Sequence, residues 1–248
     1  MMDEKQIEAL KERVMEAAGY WHPFHEALLG RDPQFLSAYL EMSHGSLTGV
    51  VSQRMKELIF ITVDGTVQHL YEPGLHYHIP HALSDGATEQ EVLEALQIAC
   101  ACVWTTQAIA LSRLARFVDV MPRSEEQRTL EAFYREQVGR WPEWASALFS
   151  VKPAFAKAFF DFCAIPWNTG TLSAKEKELL YFAGAVTPTV ANEGEAAFHA
   201  DRARGFGATS EEIVEVAQLA GAVAIHTCIV GVPILASASE KHRERAGR

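Results

Sequence analysis

The sequence predicts an all-α fold built as a tandem duplication of one helical module. Three observations carry this. First, Lys56-Glu57-Leu58-Ile59-Phe60 returns as Lys177-Glu178-Leu179-Leu180-Tyr181, an offset of 177 − 56 = 121 residues, and the correspondence continues without a gap for about fifty residues. On that offset His78 falls on His199, Glu72 on Glu193, Gly86-Ala87-Thr88 on Gly207-Ala208-Thr209, Glu91 on Glu212, Glu94 on Glu215 and Gln97 on Gln218. Second, nearly every segment with a clear hydrophobic period has the helical one. Third, strand-like alternation is almost absent, which leaves a bundle of about five or six helices per half.

Along the chain, each element has a local reason. The first half begins with an aromatic run, Tyr20-Trp21-His22-Pro23-Phe24-His25, answered in the second by Trp141-Pro142-Glu143-Trp144. Such clusters supply large buried area, either as core or as the apolar wall of a ligand site. Pro33 and Pro153 stand where a proline suits a helix start, ahead of the paired segments Gln34 to Met42 and Ala154 to Phe162. Next come the apolar helices Glu57 to Val63 and Glu178 to Val186, and a loop leads from each into a short helix carrying the aligned histidine. Pro73-Gly74 marks the start of the first of these short helices. Glu72 and Glu193 then sit where a carboxylate is stabilised by the helix dipole. Gly86 and Gly207 end them, and Thr88 with Glu91, and Thr209 with Glu212, form capping boxes for the helices that follow. A long apolar helix is expected to end, and charge density to rise, near Met121-Pro122-Arg123-Ser124, which places the halves at residues 1–121 and 122–248, and the charged run Glu240-Lys241-His242-Arg243-Glu244-Arg245 reads as a solvated, frayed tail.

Composition bounds the function. With 248 residues, a net charge of −10 and 48% hydrophobic residues, the chain resembles an ordinary globular protein without the basic footprint of a nucleic-acid binder. Uninterrupted apolar runs fall far short of the roughly 20 residues a bilayer span needs, and Met1-Met2-Asp3-Glu4-Lys5 is not a signal peptide, so a cytoplasmic protein with no membrane partner is expected. The four cysteines, Cys100, Cys102, Cys163 and Cys228, include no C-x-x-C. Cys100 and Cys102, about 200° apart on a helix, cannot share a face, and buried, inert thiols are expected.

The duplicated segment resembles the carboxymuconolactone decarboxylase and alkylhydroperoxidase-D-like superfamily. That module reads Glu-Leu, an apolar helix, a site motif ending in histidine, and a Gly-x-Thr-x-x-Glu-Ile/Val helix start. Here it stands as Glu57-Leu58, His78, Gly86-Ala87-Thr88 and Glu91-Val92, and again as Glu178-Leu179, His199, Gly207-Ala208-Thr209 and Glu212-Ile213. The peroxidase branch would place cysteines seven and four residues before the histidine, where this chain has Tyr71 and Gly74, and Asn192 and Glu195. Thiol peroxidase chemistry is disfavoured, because it needs a low-pKa sulfur beside a resolving one. The decarboxylase branch has Glu-x-x-x-His, and the second half carries it as Glu195-Ala196-Ala197-Phe198-His199. A spacing of four puts both side chains on one helix face.

The resemblance implies a cofactor-independent lyase or proton-transfer enzyme acting on a small carboxylated lactone or keto acid. In this reading His199 is the acid/base and Glu195 its partner, with His78 the equivalent in the first half. Glu57 and Glu178 hold places where the family carries a glutamate reaching toward the histidine; the alternative is that they lie at the surface and balance Lys56 and Lys177. The first half also gathers His69, His76, His78 and His81. His78 and His81 can point the same way, while His76 lies about 160° from His78. His76 and His81 are therefore candidates for substrate contacts, as is His226 on the long apolar helix further on. A metal centre on His76, His78 and His81 would need these rings, and a carboxylate such as Glu57, to converge on one point; the spacing is not H-E-x-x-H and no metal is expected, with metal-dependent hydrolysis or oxidation there as a third alternative. Because family modules assemble as trimers or hexamers, three chains are expected to form a pseudo-hexameric ring. The competing expectation is a non-catalytic binding or scaffold module, in which the histidines would face solvent.

Overall fold

The computed structural model describes residues 4–18, 21, 23–47, 49–101, 103–113 and 116–246, and every regular element in them is helical. In chain order these are α1 (Glu4–Ala18), α2 (Pro23–Leu29), α3 (Pro33–Leu47), α4 (Gln53–Gly65), α5 (Glu72–Ser84), α6 (Glu89–Cys100), α7 (Val103–Leu111), α8 (Glu125–Phe133), α9 (Glu143–Val151), α10 (Pro153–Asn168), α11 (Ala174–Val186), α12 (Glu193–Gly205), α13 (Ser210–Ala222) and α14 (His226–Ala246). A π-helical turn, Tyr134–Val138, follows α8. Both proline-led helices begin at the proline itself, and Glu72 and Glu193 are the first residues of α5 and α12. The capping boxes form as the sequence predicts: Thr88 and Glu91 exchange hydrogen bonds at 2.7 and 3.2 Å, and Thr209 and Glu212 do so at 2.8 and 3.0 Å.

Two predicted endings differ. The apolar helix expected to run to about residue 121 stops at Leu111, and the charged C-terminal run continues α14 to Ala246. Tyr20, His22 and Cys102 lie outside the described residues.

The chain divides into two compact units, and these cut across the sequence halves. One unit comprises Met1–Val50 with Gly221–Arg248. Its core gathers Leu10 and Val14 of α1, Phe24, Leu28 and Leu29 of α2, Leu36 and Leu40 of α3, and Ile225. The other, Val51–Ala220, contains both copies of the repeat.

Within Val51–Ala220 the copies lock together by exchanging charges. Lys56 lies 3.2 Å from Glu215, and its counterpart Lys177 lies 3.0 Å from Glu94, the counterpart of Glu215. All four side chains are at most 5% exposed, so neither lysine is the surface partner of the glutamate beside it in sequence. The backbone N–H of Val51 donates to Glu215 at 2.9 Å, and that of Leu172, on the same offset, donates to Glu94 at 3.4 Å. Arg54 bridges Glu91 and Glu176, while Lys175 pairs with Glu212 at 2.8 Å. Each copy thus supplies the cation that the other's buried carboxylate requires, the reciprocity that defines a two-fold interface. Burying a charge is tolerated only when it is paired, so these contacts fix the register of the copies.

Glu89–Leu111 and Ser210–Ala246 are long and apolar enough to cross a membrane by composition alone. Each, however, carries one of the buried, paired glutamates, Glu94 or Glu215, which places that part of it in the protein core. One part of this unit's core is aromatic: Trp104, Tyr134, Trp141, Trp144, Phe159 and Phe160 pack together, and the Tyr134 hydroxyl donates to the Phe160 carbonyl at 2.6 Å.

Candidate active site

Glu178 projects from α11 and His199 from α12, two helices that each begin at a side-chain cap. Ser173 and Glu176 form a capping box on α11, and the Asn192 side chain accepts from the backbone N–H of Glu195 at 3.1 Å. Inside, Nδ1 of His199 meets a Glu178 oxygen at 2.7 Å, with the histidine 5% exposed and the glutamate fully buried. Glu178's other oxygen accepts from Nε of Arg202, which also donates to the Gln137 carbonyl at 2.8 Å. A carboxylate held in this way keeps the Nδ1 proton and turns Nε2 outward. Gly139 makes room for this support. Its φ of 82° favours glycine, and a Cβ there would run into the Arg202 guanidinium.

Nε2 of His199 faces Glu195, 3.5 Å away. Arg140 clamps Glu195 with both terminal nitrogens, Nη1 at 2.9 Å, and its guanidinium lies 4.1 Å from the Phe198 ring centroid and 5.0 Å from that of Trp104. Burial works against ionisation of Glu195, but the hydrogen bonds and charges of His199 and Arg140 outweigh it and hold its pKa at about 2. A pocket of about 540 Å³, part of it open to solvent, lies over these groups. Trp104, Tyr134, Trp167 and Tyr181 line it, and Arg140, Glu195 and His199 supply its polar end. Tyr181 stacks on His199 at 4.9 Å and 11°, and Trp167 on Tyr181 at 5.6 Å and 3°. Cys163 also lines the pocket, where burial pushes its thiol up to about 12, the inert state expected of it; Cys100, in contrast, is exposed.

The first copy repeats the dyad. Nδ1 of His78 meets Glu57 at 2.7 Å, and Phe60, the counterpart of Tyr181, stacks on the ring at 4.5 Å and 17°. Glu57's second oxygen takes the Gln53 amide at 3.2 Å where Glu178 takes Arg202. Asp64, fully buried, lies 4.0 Å from Nε2 of His78 and 3.4 Å from Nε2 of His69. Burial pushes Asp64 up to about 7 and lowers the pKa of His69.

The remaining candidates are not brought into either dyad. His76 is exposed and pairs with Glu72 at 3.4 Å; His81 is exposed, bonded through Nδ1 to the Tyr77 carbonyl at 2.6 Å and stacked on the Tyr77 ring. His226 opens α14 and belongs to the other compact unit. The sequence reading missed Arg140 and Arg202. Arg140 lies outside the aligned segment, and Arg202 falls on His81 in the offset, so the repeat gave no signal for either. Asp64 did carry a signal, because it falls on Ala185.

The sequence pattern of the carboxymuconolactone decarboxylase family matches residues 33–117 and 153–227, one match in each half. The chain belongs to this family. A solved structure from Burkholderia xenovorans LB400, described as "a putative gamma-carboxymuconolactone decarboxylase subunit", is 27% identical over 95% of this chain and 98% of its own, with a TM-score of 0.86. No curated protein matches. The tandem, all-helical organisation expected from the repeat is therefore established, with a dyad of glutamate and histidine in each copy.

Proposed function

We propose that this family member is a cofactor-independent lyase acting on a small, flat carboxylated lactone or keto acid in the pocket over His199. The observation that carries the proposal is the line Glu178–His199–Glu195–Arg140, a relay of alternating charge ending inside an aromatic-walled pocket. The aromatic lining suits a planar ligand, and Arg140, which also holds Glu195, is the cation in that lining that a ligand carboxylate can face. Glu178 holds the His199 ring through Nδ1 at 2.7 Å, leaving Nε2 as the nitrogen available to the ligand.

In this reading the substrate carboxylate leaves as carbon dioxide, and the electron pair of the broken C–C bond is delocalised into the adjacent carbonyl system. Nε2 of His199 then delivers its proton to the carbon, and solvent restores the imidazolium. Glu195, an anion across the whole working pH range, stabilises that imidazolium between turnovers. A scaffold role would have left the histidine in solvent, whereas its 5% exposure and convergence with two carboxylates support chemistry. Thiol peroxidase activity has little to work with, given the burial of Cys163. The proposal includes assembly as a trimer of chains, which sedimentation would report as three times the chain mass.

The test is a screen for carbon dioxide release from small carboxylated lactones and keto acids, with hydroperoxides as controls. Wild type, His199→Ala and His78→Ala are compared. Release that falls in the histidine variants supports the reading, and equal release by all three overturns it.

A further inference from the structure

We propose that Glu57, His78 and Asp64 form a second acid/base site, in which Asp64 of α4 has taken over the position that Glu195 of α12 holds at the first. The inference rests on the acid/base reading above and concerns a residue that this reading does not use.

The exchange is visible as two compensating differences between otherwise matching copies. On the 121-residue offset Asp64 falls on Ala185 and Gly74 on Glu195, so each copy has one acid and one small residue, in opposite places. The backbone around them is the same. The N–H of Tyr71 donates to the Asp64 carbonyl at 2.9 Å, as that of Asn192 does to the Ala185 carbonyl at 2.9 Å. Leu70 and Ala191, again equivalent, share positive φ values of 37° and 40°. With the backbone fixed, the side chains trade space. A Cβ on Gly74 would overlap the Asp64 carboxylate, so the aspartate fills the volume into which a side chain at position 74 would grow. Its carboxylate reaches Nε2 of His78 at 4.0 Å, against 3.5 Å from Glu195 to Nε2 of His199. Both imidazoles therefore lie between two carboxylates and under an aromatic ring from the preceding helix.

The two sites differ in positive charge. Arg140 clamps Glu195 and Arg202 supports Glu178, while Glu57 takes the neutral Gln53 amide and Asp64 faces His69. Burial raises Asp64 to about 7, in agreement with that difference. Asp64 is fully buried, whereas 14% of the His78 side chain is accessible, so the ligand meets His78 and Asp64 acts through it as a positioning residue. With the Gln53 amide and His69 standing where the first site has two guanidiniums, the His78 site suits a small carbonyl compound that exchanges a proton at carbon and carries no carboxylate.

The test uses the full chain labelled with ¹⁵N-histidine and reads the ring nitrogens of His78 by NMR, which requires no substrate. Asp64→Asn, close in shape, is expected to shift the Nε2 signal of His78 above about pH 7, where the Asp64 carboxyl is ionised. Asp64→Ala/Gly74→Glu is expected to return that signal toward its wild-type position by restoring the arrangement of the first site. An unchanged Nε2 signal in Asp64→Asn, or no recovery in the double variant, overturns the proposal. A second arm follows deuterium exchange at carbon of small ketones in D₂O in a His199→Gln background, where Asp64→Asn should remove the exchange and the double variant restore it. If no substrate turns over in any protein, the lyase reading fails while the NMR arm still decides the role of Asp64.

Discussion

Removing Glu94 should destabilise the protein far more than removing Glu94 and Lys177 together. Glu94 is fully buried and lies 3.0 Å from Lys177, whose side chain is 5% exposed and otherwise donates to the Thr169 carbonyl at 2.7 Å. In Glu94→Leu the ammonium stays in the core with only neutral acceptors. Breaking a buried pair in this way costs about 3–5 kcal/mol, whereas replacing both partners with apolar residues of similar volume is close to neutral. At ~2–4 °C per kcal/mol for a chain of this size, the single variant should melt about 6–20 °C lower. Glu94→Leu/Lys177→Met should recover most of that loss. The assay is a double-mutant cycle by urea and thermal unfolding, followed by circular dichroism. The same cycle at Lys56 and Glu215, 3.2 Å apart, should give a similar coupling energy because the two pairs are equivalent by the repeat. A single-variant loss below about 1 kcal/mol, or a double variant equal to the sum of the singles, would refute the argument that crossed charges hold the copies in register.

Three further outcomes follow from the site. Glu195 has a depressed folded pKa, so its contribution to stability is fully present above about 4.5 and is lost as pH falls toward 2; in Arg140→Gln that acid sensitivity should shift to higher pH, as seen in unfolding midpoints between pH 2 and 6. Gly139→Ala should destabilise by about 1–2 kcal/mol and also slow turnover, because the residue has a φ of 82° and the added methyl would displace Arg202 from Glu178. Iodoacetamide should modify exposed Cys100 well before buried Cys163, measured by peptide mass spectrometry on the native protein.

Much of this was legible because duplication prints the same physics twice. The capping boxes at Thr88 and Thr209 could be read directly, since both partners of each box lie within one turn of chain. The resemblance puts Glu57 and Glu178 where a glutamate reaches toward the histidine, with a surface position as the alternative, and in the structure they lie 2.7 Å from His78 and His199. What escaped was partner choice over distance. Lys56 and Lys177 look like surface partners of Glu57 and Glu178, but adjacent residues on a helix point in different directions, and the lysines reach instead into the opposite copy. The spacing of three lets His81 share the face of His78, yet it lies in the last turn of α5, where its ring turns back onto Tyr77. Arg140 comes from outside the aligned segment, so no internal comparison could have marked it. The Asp64/Gly74 exchange against Ala185/Glu195 was recoverable in principle, because paired opposite changes on one offset point to shared space.

The most direct measurement is turnover in D₂O of the best carboxylated substrate by wild type and His199→Gln, with folding checked in parallel. The account predicts one deuterium per product at the carbon that lost carbon dioxide, and a fall in kcat/KM of about 10²–10⁴-fold in the variant. Undiminished turnover by folded His199→Gln, with deuterium still delivered to the same carbon, would contradict it.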